Sequence, residues 1–296
     1  MISHVDDLYT AGEGNYFEEA MKRLTKKIHL KEQKGEFKFC GKHIVQQKDG
    51  QISIDQTESI ETIEYQVIDK SRRSKPGAPL TEDEKSGFRA LIGSMGWVTR
   101  QSRPDIMVNV SIAAQALGKP TVKDVIDLNK ALKMLKETPN AKWNYVPSSI
   151  TMKNCAVFVC ADSSFANLPG HKSQCGYVVG LSLPSLENGE ETPVLLLETC
   201  SSSIKRVCRS TLAAEANGFL AGVEAADYVR MILLEIENPG ISIRNLDKEF
   251  PRKRLLAFTD AKSLESTVNK DAGQPSDKGK DLGGASEGAS FIYAVY

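Results

Sequence analysis

No CxxC pair occurs among the six cysteines of this 296-residue chain, and its four histidines (His4, His29, His43, His171) stand nowhere at zinc-ligand spacing. That excludes the usual structural zinc sites. No apolar run approaches the roughly 20 residues that cross a bilayer, and the first residues lack the basic and then apolar regions of a signal peptide. These absences point to an intracellular chain, cytoplasmic or nuclear, with free thiols and no membrane partner. Charge of one sign is not in excess either. Lys+Arg and Asp+Glu number 38 each, so attraction to a polyanion has to come from local patches. Basic runs occupy 22–34, 69–77 and 251–254, and any one of them taken alone is as readily a solvated face.

A hydrophobic fraction of 41% is enough to bury a core, and its periodicity divides the chain near residue 150. Phe17, Met21, Leu24 and Ile28 recur at helical spacing with Lys22, Arg23, Lys26 and Lys27 on the opposite face, predicting an amphipathic helix with its apolar side inward. Residues 35–56 alternate through Phe37 and Phe39, turn at Asp49-Gly50 and return through Ile52 and Ile54, as a β-hairpin does. The polar stretch 66–87, with Pro76 and Pro79, reads as a loop or linker. From Phe88 the pattern is helical, broken at "SRPD" (102–105), and a further helix carries Val125, Leu128, Leu132 and Leu135 on one stripe before Pro139. Beyond residue 150 come the strand-like runs 155–161, 175–183 and 193–200, then a long helix that Ser210 can cap, then a strand at 254–260.

Acids punctuate this second half. Asp162 directly follows the run "VFVCA" and Asp260 directly follows "LLAFT", which predicts that both emerge at the carboxyl ends of strands, where open α/β sheets place ligands. Glu215 falls on the inward face of the long helix, among small residues. A carboxylate there is costly unless it is paired or bound to a cation. Together the three could hold magnesium, which takes oxygen ligands; three unrelated surface acids are the alternative.

Ordered blocks of the chain resemble the C-terminal part of a copia-type LTR-retrotransposon Pol polyprotein. "HVDDLYTAG" is similar to the YVDD hairpin of the family's reverse transcriptase, and "FCGKHI" with "ISIDQTESIETI" to its next segment. "FRALIGSMGWVTRQSRPDIMVNVS" resembles the IGSLMYL and RPDI block. "CADSSFANLPGHKSQCGYVV", "CSSSIKRVCRSTLAAEANGF" and "FTDAKSLESTVNKD" resemble three successive RNase H motifs. The resemblance runs from residue 1 to about 271.

The resemblance implies an α/β fold: an RNase H-like mixed sheet flanked by helices over 151–271, with an aberrant tail at 272–296. Before it would stand an incomplete reverse-transcriptase palm and thumb (1–87) and a helical thumb or connection region (88–150), α+β in character. It implies that Asp162, Glu215 and Asp260 bind magnesium, or manganese in its place, for hydrolysis of RNA in an RNA/DNA hybrid, with Asp281 the nearest counterpart of a fourth acid. Asp6 and Asp7 would belong to a polymerase metal site whose other parts lie upstream in the family. Polymerase chemistry is therefore expected to be lost unless another chain supplies that region, and residues 1–12 are expected to lack partners. The alternatives are nucleic-acid binding without catalysis, or the inactive product of a decayed element.

Overall fold

The computed structural model describes residues 2–5, 7–242, 244, 246–272 and 289–291. Its class is mixed α/β. The chain opens with a two-stranded antiparallel ribbon, β1 (Ile2–His4) and β2 (Asp7–Tyr9). Among the described residues no further strand joins this ribbon, as expected, although the Tyr9 ring lies 5.9 Å from that of Phe37 and 5.5 Å from that of Phe39. Helix α1 (Gly14–Lys27) follows where the periodicity placed it, but none of its residues is buried. Phe17, Met21 and Leu24 line an open apolar groove instead of reaching a core.

The hairpin expected over 35–56 is a three-strand meander: β3 (Glu36–Phe39), β4 (Lys42–Gln46) and β5 (Ile52–Asp55). Alternation alone hid the additional turn, which Cys40 (φ 49°) and Gly41 (φ 68°) make in the left-handed region. Trp143–Tyr145, later in the chain, closes the sheet as its fourth strand, against β5.

Residues 66–87 are not a linker. After α2 (Thr57–Thr62), the short α3 (Lys70–Arg73) and the start of α4 (Glu82–Gln101) fall within or next to this stretch, and Ile68 and Leu80 are buried. A capping box starts α4: the Thr81 hydroxyl accepts from the Glu84 N–H while the Glu84 carboxylate accepts from the Thr81 N–H. Arg72 donates to the same carboxylate at 2.8 Å. α4 packs with α5 (Met107–Gln115) and α6 (Val122–Glu137) around Phe88, Met95 and Val98, and the stripe Val125, Leu128, Leu132 and Leu135 is buried as its spacing predicted.

After α6 the chain leads through β6, the Trp143–Tyr145 strand, into a five-stranded sheet built from β7 (Ala156–Leu168), β8 (Lys172–Ser182), β9 (Val194–Ser203), β10 (Leu255–Phe258) and β11 (Ala289–Phe291). Its order is β11-β10-β7-β8-β9, with β7, β8 and β9 an antiparallel meander and β10 parallel to both of its neighbours. The last strand, Ala289–Phe291, lies in the stretch expected to be a tail; it covers the outer edge of β10, whose backbone groups would otherwise be unpaired. Helix α7 (Thr211–Glu237) crosses one face of the sheet, capped as expected by the Ser210 hydroxyl accepting from the Ala213 N–H at 3.1 Å. The short α8 (Leu246–Glu249) leads back to β10, and α9 (Lys262–Ala272) follows it. A polar seam joins the two halves: Gln174 of β8 donates to Ser111 of α5 and to Ser201 of β9, and accepts from Gln115 of α5, each at 2.9 Å.

Small residues let α7 lie close to the sheet. Ala214, Gly218, Gly222 and Ala226 repeat every four positions and all are buried. A Cβ on Gly222 would stand 3.0 Å from Val159 Cγ2 and 3.2 Å from the Cβ atoms of Ala161 and Tyr177. Gly222→Val should therefore lose about 1–3 kcal/mol through overpacking. Urea unfolding measures this, and an unchanged midpoint would show that the helix can lift without cost.

Candidate metal centre

Register accounts for the first pair of acids. β10 runs parallel to β7 with Leu255 beside Val157 and Phe258 beside Cys160. Carrying both chains forward two residues brings Asp260 level with Asp162. The sequence expectation of two strand ends holds for only one of them. Asp260 lies two residues beyond β10, but Asp162 sits within β7, paired with Gly176 of β8. The apolar run ends at Ala161, whereas the hydrogen-bonded ladder with β8 continues past it, because pairing needs backbone and not buried side chains.

Glu215 arrives from above the sheet. It lies three residues before Gly218, on the same helical face, and at Gly218 the helix backbone presses against Ser163, Cys175 and the carbonyl of Asp162. One ligand oxygen from each of Asp162, Glu215 and Asp260 falls within 4.8 Å of the others. Glu215 is 8% exposed, while both aspartates are open to solvent.

Three carboxylates so close oppose one another's ionisation. Burial first, then the charge of Asp162, then that of Asp260 push the Glu215 carboxyl up to about 7, while a backbone hydrogen bond from Ser163 pulls the other way. Asp162 is steadied by its own main chain, its Oδ1 accepting from the Ser163 N–H at 2.7 Å. A divalent cation would answer this arrangement: it would replace the proton that Glu215 otherwise holds, and an all-oxygen carboxylate set suits a hard ion. The cluster could thus bind a metal.

Asp7 does not join it. Asp7 is exposed on the N-terminal ribbon, opposite His4, and among the described residues the triad is the one group of acids, histidines or cysteines arranged to hold a metal. Asp6 and Asp281 lie outside the described residues. Among the described residues no helix is long and apolar enough to cross a membrane. The chain matches no protein-family model and no curated protein sequence.

Sequence reasoning overlooked the support of the triad. Gly218 and Gly222 are essential to the approach of α7, and their signal was legible as a four-residue repeat of small side chains continuing from Ala214. Arg230 was overlooked as well. It is fully buried and holds the segment leading into β10, donating from Nε to the Lys253 carbonyl at 2.8 Å and from Nη2 to the Phe250 carbonyl at 2.7 Å. No local pattern marks an arginine as buried.

Proposed function

We propose that the chain is an RNase H-type nuclease from a copia-like Pol polyprotein, hydrolysing the RNA strand of RNA/DNA hybrids with magnesium. The observation that carries this reading is the convergence of Asp162, Glu215 and Asp260 from a strand, a crossing helix and a parallel neighbouring strand. Residues so distant in sequence meet only through the fold. The antiparallel meander β7-β8-β9, the parallel β10 beside β7 and the helix across them agree with an RNase H-like sheet.

The three carboxylates would hold the ion, and magnesium bound there supplies Lewis-acid stabilisation of charge developing on phosphodiester oxygens. The protein's own contribution is placement. The exposed aspartates face solvent, where a phosphodiester can approach, and Glu215 is held on the sheet-facing side of α7, so the donor set is organised before substrate arrives.

The test is a labelled RNA/DNA duplex incubated with the full chain and magnesium. Cleavage confined to the RNA strand, leaving 3′ hydroxyl ends and stopped by EDTA, is the expected result. A chain that binds the hybrid but cuts neither strand, with magnesium or manganese, would sink the catalytic reading in favour of binding alone.

A further inference from the structure

Most cations of the basic runs at 69–77 and 251–254 are paired within the fold, with Lys70 and Lys75 left exposed. Arg72 pairs with Glu84 and Arg73 donates to the Ile68 carbonyl. Arg252 pairs with Glu249, Lys253 with Glu237 and Arg254 with Glu187. A different set of cations is left open, and it gathers at one end of the five-stranded sheet. Lys172, Lys205, Arg206, Arg209 and Lys262 are all exposed, and none makes an ion pair among the described residues.

Their positions follow from the ladder. Asp162 pairs with Gly176, and Gly176 with Ser201, so β9 passes Asp162's level two residues before it ends at Ser203. Two strand spacings separate β9 from β7, roughly 10 Å. The chain then runs through Lys205, Arg206 and Arg209 to Ser210, the cap of α7. Glu215 lies four residues beyond Thr211, where α7 begins, about 6 Å along the helix axis. Lys262 stands two residues after Asp260, and Lys172 at the β7–β8 turn, paired with Leu168. A rim of positive charge therefore borders an acidic centre.

We infer that loop 205–209, flanked by Lys172 and Lys262, is the surface that grips the backbone phosphates of the RNA/DNA hybrid on either side of the scissile bond. The inference rests on the proposed function for its partner. Unpaired cations spread over several strand spacings suit a ligand carrying regularly spaced phosphates better than a compact anion. They also offset the repulsion that three carboxylates would present to a polyanion. Their distribution gives a chain with no net charge a local field at the centre where cleavage is proposed.

The experiment compares the full chain with its K205Q/R206Q/R209Q variant, using fluorescence anisotropy of a labelled hybrid with calcium in place of magnesium, across about 50 to 200 mM salt. Each lost phosphate contact should lower the slope of log K against log salt by roughly 0.7–0.9. The triple variant should therefore show a slope shallower by about two and bind at least about tenfold more weakly at the lowest salt. K123Q/K130Q on the remote helix α6 should bind as the parent does. The substituted side chains are exposed, so circular dichroism should be unchanged. If the parent cleaves the hybrid in magnesium while the triple variant keeps the parent's slope and affinity, the loop inference is overturned and the nuclease reading stands. If the parent binds but does not cleave, a shallower slope in the variant supports the loop and the nuclease reading falls. A parent that neither binds nor cleaves overturns both.

Discussion

Glu215→Gln should abolish hybrid cleavage, lowering the rate by at least about a hundredfold, while making the folded protein more stable at neutral and alkaline pH. Both effects have one origin. In the metal-free protein the Glu215 carboxyl is pushed up to about 7 by burial and by Asp162 and Asp260, against a reference of 4.5. Folding therefore favours the protonated acid. The stability this confers is fully present below about pH 4.5 and is lost as pH rises through 7. Above that range the parent carries a penalty of up to about 3 kcal/mol, at 1.36 kcal/mol per pKa unit, which the neutral amide does not share. Denaturation in EDTA at pH 5 and pH 8.5 should show the parent losing stability between them and the variant losing much less. Magnesium should reverse the parent's loss, because a cation neutralises the same repulsion, and should stabilise the variant far less. An amide variant that destabilises equally at both pH values would mean that Glu215 is held by bonds rather than opposed by neighbours. One that retains cleavage would remove it from the metal site.

What the sequence revealed about this centre depended on how local the cause was. Ser210 as a cap and the stripe Val125, Leu128, Leu132 and Leu135 are short-range patterns, and the structure matches both. The Thr81-Glu84 capping box is equally local, but it follows two prolines, Pro76 and Pro79, in a polar stretch that reads as a linker. Burial of Ile68 and Leu80 within that stretch depends on helices far along the chain. At Asp162 the difficulty was one of kind. Hydrophobic alternation reports which side chains are buried, whereas the length of β7 is set by its pairing with β8 beyond the last buried residue. The additional strand from Trp143 to Tyr145 was invisible for a related reason: three residues with little apolar pattern become a strand because the edge of β5 is available to them. The three acids themselves were distinguishable one by one, but their approach to within 4.8 Å depends on the parallel register of β10 and on two glycines of α7.

Arg230→Met should cost about 3–5 kcal/mol, the usual loss when one partner of a buried charged network is removed, and hybrid cleavage should fall with it. The Arg230 side chain is 0% exposed and donates to Asp227 at 2.6 Å, to the Lys253 carbonyl at 2.8 Å and to the Phe250 carbonyl at 2.7 Å. Its guanidinium also lies 4.6 Å from the centroid of the Phe250 ring. Methionine fills much of the volume but satisfies none of these acceptors, and a buried acceptor left unpaired costs about 1–3 kcal/mol. Lysine keeps the charge without the planar fork, so Arg230→Lys should still lose a large part of the same stability. The consequence reaches the candidate metal centre through connectivity. Phe250 and Lys253 lie on the segment that enters β10, and β10 delivers Asp260, while Arg230 itself belongs to the helix that delivers Glu215. Loosening this junction frees two of the three ligands relative to each other. In Arg230→Lys, assayed at a temperature where it remains folded, cleavage should need more magnesium for half-maximal rate than in the parent. A normal magnesium requirement together with a loss below about 1 kcal/mol would show that Asp260 is placed by the β7–β10 ladder alone.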